Sequence, residues 1–226
     1  MDRDRVVSRA ARVAVVAALA VTHAPTPARA EAPSPGDLVL AGLAMAPPVY
    51  VIGVAAHEGS HALAALLVGG EVESICLLPG TDPTTGAFYF GRTRVRGLRS
   101  GAQRTFFLLA PKLTDLIVLG SYTALLATDT LPENRYGQLA FAVIGTGFWV
   151  DFSKDVLRVS PYNDVVKFYD QHGWTSEWAR LPWRLGHAAI AATFGVVLYE
   201  GYRRLFDPED PSPAATLVVP LIGGQF

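Results

Sequence analysis

The residues most able to do chemistry lie together in the short run His57-Glu58-Gly59-Ser60-His61. Two histidines four positions apart stand one above the other on a helix face, so their ring nitrogens can converge on one tetrahedral ion. The glutamate beside the first histidine can reach a water molecule polarised at that ion, take its proton and later return it to a leaving amine. Zinc suits such a donor set, because it acts as a Lewis acid without redox chemistry. Together these groups serve hydrolysis of a peptide bond. Gly59 costs a helix about 1 kcal/mol relative to alanine, yet with Ser60 it leaves room for a second helix or a substrate backbone.

The surroundings make the run more telling. From Leu38 to Val68 the chain is apolar, and its ionisable interruptions are His57, Glu58 and His61. An ionisable side chain inside hydrocarbon is expensive unless it is paired or liganded. Three within five residues are hard to explain as packing, and the competing explanation is a hydrogen-bonded polar cluster between helices with no metal. Across the 226 residues, 50% are hydrophobic and 17% charged, whereas soluble domains carry about 25% charged residues. With 19 basic and 20 acidic residues the chain has no electrostatic handle on a polyanion, which excludes nucleic acid as a partner.

The apolar residues are gathered into blocks long enough to cross a bilayer. Pro47-Pro48 is expected to divide the first block and leave a helix from about Pro48 to Val68, closed by Gly69-Gly70. Phe106 to Ala127, Leu139 to Val150 and Leu185 to Tyr202 supply three more. The expected fold class is therefore an all-α polytopic membrane protein with about four transmembrane helices. Residues 71–104 differ in character: turn signals at Pro79-Gly80, Asp82-Pro83 and Gly86, and alternating Arg92, Arg94 and Arg96, predict a small β-hairpin insert. Lys112 and Asp115, three residues apart in the second block, are expected to pair. His172 and His187 read as solvated or interfacial, and Trp174, Trp178 and Trp183 as an interfacial belt.

Residues 1–30 have the grammar of a signal peptide: Arg3, Arg5, Arg9 and Arg12, then the apolar run Val13 to Val21, then Ala28-Arg29-Ala30. The expected organisation is a signal peptide over 1–30, a membrane metalloprotease domain over 31–204 and a C-terminal tail over 205–226 with no assigned role. With the mature start outside, Arg92, Arg94, Arg96, Arg99, Arg104, Lys154, Arg158, Lys167, Arg180 and Arg184 fall inside, against Arg135, Arg203 and Arg204 outside. That distribution obeys the positive-inside rule. The single cysteine, Cys76, excludes an intramolecular disulfide.

The run Ala56-His57-Glu58-Gly59-Ser60-His61-Ala62-Leu63-Ala64, followed by Gly69-Gly70 and a strand-like segment, resembles the site-2 protease family of intramembrane zinc metalloproteases. Phe107-Leu108-Leu109-Ala110-Pro111 resembles that family's Ala-Gly-Pro step with its glycine missing, and the resemblance covers about Val49 to Lys167. It implies zinc held by His57, His61 and an aspartate, with Glu58 as the catalytic base and acid. For the third ligand the family pattern is an asparagine, prolines and Leu-Asp-Gly, and Asp164 after Pro161 is the positional match, although Val165 replaces the glycine. Asp151, near the inner end of the third helix, and Asp155 are the alternatives. The resemblance further implies membrane-embedded protein substrates such as anti-sigma factors, regulated intramembrane proteolysis, and a place in the bacterial cytoplasmic membrane. Two other functions stay open: a catalytically inactive metal-binding scaffold, and an ion or metal transporter.

Overall fold

The computed structural model describes residues 33–157 and 159–207. The expected signal peptide, the tail beyond Asp207 and Arg158 lie outside the described residues. Helix α1 spans Pro35–Leu67 and starts with a capping box, in which Ser34 Oγ accepts from the Asp37 N–H and Asp37 Oδ2 accepts from the Ser34 N–H. Pro47 and Pro48 lie inside α1 and do not divide it, which corrects the expected break at that point. A proline ring keeps the helical φ, and in an apolar bundle the carbonyls it deprives can be satisfied by neighbouring groups. At the other end Gly69 takes φ +80°, and the Gly69 and Gly70 N–H groups donate to the Leu66 and Ala65 carbonyls. This Schellman turn sends the chain straight into a strand.

Strands β1 (Glu71–Cys76) and β4 (Arg92–Arg96) pair antiparallel with an irregularity between Val72 and Ser74. Between them, β2 (Gly80–Thr81) pairs with β3 (Phe88–Tyr89). The insert is thus two small nested two-stranded sheets where one hairpin was expected. Helix α2 (Gly101–Ala127) opens on a second capping box, from Ser100 and Gln103, and the Gln103 amide also donates to the Val68 carbonyl at the end of α1 at 2.7 Å. Helix α3 (Arg135–Lys154) is capped by Asn134, the short α4 (Asp164–Gln171) by Asn163, and α5 (Glu177–Phe206) by Ser176.

The chain is mostly helical, and α1, α2 and α5 are long and apolar enough to cross a membrane. Helix α3, the third of the blocks expected to span, is not among them. It packs against the other three, and the main core cluster, built on Leu119, Tyr122, Phe148, Phe152 and Leu198, joins α2, α3 and α5. Close approach needs small residues: a Cβ at Gly147 would meet a Val49 methyl at 2.8 Å, so α1 and α3 can touch only with glycine there. Large apolar side chains such as Leu63, Leu66, Ile117 and Val196 face outward, as a lipid solvent allows and water does not favour.

Candidate metal centre and active site

Helix α1 presents His57 and His61 one turn apart, with ring centroids 5.2 Å apart. The Nδ1 of each ring is held from a different helix. His57 Nδ1 donates to Asp151 Oδ2 in α3 at 2.9 Å, and His61 Nδ1 donates to the Phe107 carbonyl in α2 at 2.8 Å. An oxygen of either kind only accepts, so each Nδ1 carries a hydrogen and Nε2 is the nitrogen left to meet an ion. Both Nε2 atoms face Asp164 Oδ2, which stands 3.1 Å from His61 Nε2 and 3.9 Å from His57 Nε2.

The Phe107 carbonyl is available for a reason written in the sequence. Pro111 lies four residues later and has no N–H to donate back to it, so the carbonyl is released from the helical ladder. Asp164 is placed just as locally. It opens α4, whose first turn is fixed by Asn163 Oδ1 accepting from the Val165 and Val166 N–H groups. Lys167, one turn on, donates to Asp164 Oδ1 at 3.0 Å and leaves Oδ2 for the histidines. Burial alone would raise the Asp164 carboxyl, but the facing His57 and His61 rings and the charge of Lys167 outweigh it and hold it well below its ordinary value.

Of the three aspartates considered, the fold brings Asp164 to the histidines' Nε2 atoms and gives the others different places. Asp151 lies behind His57, on the Nδ1 side. Asp155 is buried and accepts from Asn163 Nδ2 at 2.7 Å and from Lys112 Nζ at 2.8 Å. One atom each from His57, His61 and Asp164 lie within 4.8 Å of one another, the only such group with metal-ligating chemistry among the described residues. Two imidazole nitrogens and one carboxylate oxygen, each braced from behind, fit a zinc site that keeps one position open.

Glu58 is buried beside this group, and Thr93 Oγ1 of β4 donates to its Oε2 at 2.8 Å. Gly91 presses on the same carboxylate: a Cβ there would lie 2.7 Å from Glu58 Cγ and Oε1. The strand insert therefore fixes the glutamate as well as covering it. A cavity of about 310 Å³ lies on one side, reached by His57, Phe90, Asp151 and Lys154, and one of about 280 Å³ lies on the other, reached by His61, Thr93, Phe107 and Lys167. Glu58, Tyr162 and Asp164 border both.

Lys112 and Asp115 pair at 3.1 Å as expected, but Lys112 also meets Asp151 and Asp155, which sequence spacing did not indicate. His187 Nε2 donates to the Phe152 carbonyl near the end of α3, and His172 Nδ1 to the Phe168 carbonyl, so both serve helix ends away from the metal group. The residues that sequence reasoning missed are Asp151 as a histidine partner, Thr93 and Gly91. Only the release of the Phe107 carbonyl by Pro111 had a signal that could have been read directly.

No curated protein and no solved structure matches the chain. The family model described as peptidase M50B-like matches residues 13–150, a stretch that contains His57, Glu58, His61 and Pro111 and ends before Asp151 and Asp164. With more than half of its length matched, the helical motif inside the match and three helices able to cross a membrane, the chain belongs to the peptidase M50B-like family, membrane-embedded proteases of the site-2 type.

Proposed function

We propose that this protein is an intramembrane zinc endopeptidase that cuts membrane-embedded protein substrates. His57, His61 and Asp164 hold the ion, and Glu58 moves the proton. The observation that supports this reading best is the convergence of three donor atoms within 4.8 Å next to a buried, braced glutamate. Zinc bound there would supply a Lewis acid for the attack of water on a peptide carbonyl. Glu58 takes a proton from the attacking water and gives it to the departing amine, with its Oε2 kept in place by the Thr93 hydroxyl. The two cavities beside Glu58 give an unwound substrate backbone room on either side of the cut. Burial between helices keeps bulk water low, and the polar walls at Asp151, Lys154 and Lys167 admit the water that hydrolysis consumes.

Helix α3, 20 residues and about 30 Å long, crosses with α1, α2 and α5 in this reading, giving four spans with the strand insert and α4 on the inner side. The test is zinc content and cleavage of a single-span reporter by purified protein in lipid. Wild type should hold zinc and cut, Glu58→Gln should hold zinc without cutting, and His57→Ala should lose both. Zinc without cleavage in wild type would favour the inactive scaffold, and wild type without zinc would defeat the proposal.

A further inference from the structure

We propose that Lys112 is a positioning residue that sets the two halves of the metal group against each other. This rests on the zinc reading above. Lys112 is buried in α2 immediately after Pro111, and its Nζ meets oxygens from three acidic residues: Asp115 Oδ2 at 3.1 Å, Asp151 Oδ2 at 3.1 Å and Asp155 Oδ2 at 2.8 Å. It also donates to the Asp151 main-chain carbonyl at 2.7 Å, in the last turn of α3, where the helical ladder leaves carbonyls without partners.

Two lines lead out from this ammonium. Along one, Asp151 Oδ2 accepts from His57 Nδ1 and fixes the ring that offers Nε2. Along the other, Asp155 accepts from Asn163 Nδ2, and Asn163 caps the helix that Asp164 opens. One histidine and the aspartate, 107 positions apart in the chain, are therefore referred to a single charge. Without that charge, two buried carboxylates and the half-buried Asp151 would face one another in a medium that screens poorly, and both lines would lose their common anchor. Pairing of Lys112 with Asp115 alone would explain none of the contacts across to α3 and the loop after it.

The test compares wild type, Lys112→Met and Lys112→Arg as full chains in lipid, with Leu119→Ala as a core variant away from the site. Zinc affinity is read by chelator competition, and the His57 ring by nitrogen NMR of the metal-free protein. Lys112→Met should bind zinc about 10- to 100-fold more weakly and change the His57 ring signals, with part of the affinity recovered in Lys112→Arg. Leu119→Ala should melt earlier with neither change. Wild-type affinity and unchanged His57 signals in folded Lys112→Met would overturn the inference and leave the zinc reading intact. Loss of stability in Lys112→Met with neither site readout moved would also overturn it, making the residue a structural ion pair. If wild type binds no zinc, the functional reading fails by that result, and unchanged His57 signals in Lys112→Met would then overturn the positioning role on their own.

Discussion

The bundle carries charged side chains at both ends and uses them differently. At the end with the strand insert, contacts from α1, α2, α3 and α4 converge until two ring nitrogens and one carboxylate oxygen share a small space. At the opposite end Arg135 donates to the Pro33 and Leu205 carbonyls, and Arg204 bonds Glu200 and Asp129. There the charges spread apart and tie chain ends together. That end also has a cavity of about 460 Å³, larger than either one beside Glu58, yet no metal-competent group lines it among the described residues. What separates a site from a staple here is the convergence of ligand-type atoms on one point, and neither cavity size nor charge count reveals it.

The largest effect is expected at Glu58. Glu58→Gln should lower reporter cleavage by about 100- to 10,000-fold while zinc content stays at wild type, as expected when a proton carrier is removed and its ligating neighbours are kept. A cleavage rate near wild type would show that the converging end is not the chemical one. Next in size is Gly91→Ala, which pushes a methyl group into Glu58; cleavage should fall about 10- to 100-fold, in line with what a displacement of about 1 Å costs a catalytic group. At the other end, Arg135→Ala should cost about 2 kcal/mol of stability through lost charge-assisted hydrogen bonds and leave cleavage per folded molecule unchanged, measured by thermal melting in lipid alongside turnover. If turnover fell in proportion to the folded site's zinc, the two ends would be coupled.

The smallest effect belongs to Asp82 in the strand insert. The Thr84 and Thr85 N–H groups, then Arg94 and Arg92, hold its carboxyl down at about 2, with burial opposing them. A group whose folded value is depressed adds stability that is complete above its unfolded value, about 4, and that is lost as pH falls through the folded value. Asp82→Asn should therefore lower stability at neutral pH, flatten the acid limb between about pH 4 and 2, and leave variant and wild type alike below it. Urea melts at a series of pH values would show it, and an unaltered acid limb would mean that Asp82 does not stabilise the insert.

Much of the converging end was legible in the sequence because its signals are local. Two histidines and a glutamate at helical spacing, capping residues such as Ser34, Ser100 and Asn163, and the glycine pair after α1 all act within one or two turns. Asp164 could be singled out by its place in the resembling motif, while depth along the third helix spoke for Asp151, and no local signal says which side of the histidines each one reaches. The fold separates them by side: Asp151 reaches Nδ1 of His57, and Asp164 faces Nε2. The Lys112 contacts to Asp151 and Asp155 were illegible for the same reason, since they depend on how α2 crosses α3. The misplaced break at Pro47-Pro48 came from applying the cost of proline in water-exposed helices to a helix whose neighbours are apolar.

Pro111 ties the stability of α2 to the orientation of His61. A proline inside a helix is a liability of about 3 kcal/mol in ordinary settings, and replacing it is a standard route to a more robust protein. Here the liability in α2 is what offers the Phe107 oxygen to His61. Pro111→Ala should restore the missing amide, draw that oxygen back toward its own helix and raise the melting temperature while loosening the ring. Robustness and activity are thus set against each other at a single peptide bond, and the more durable variant of this protein should be the poorer enzyme.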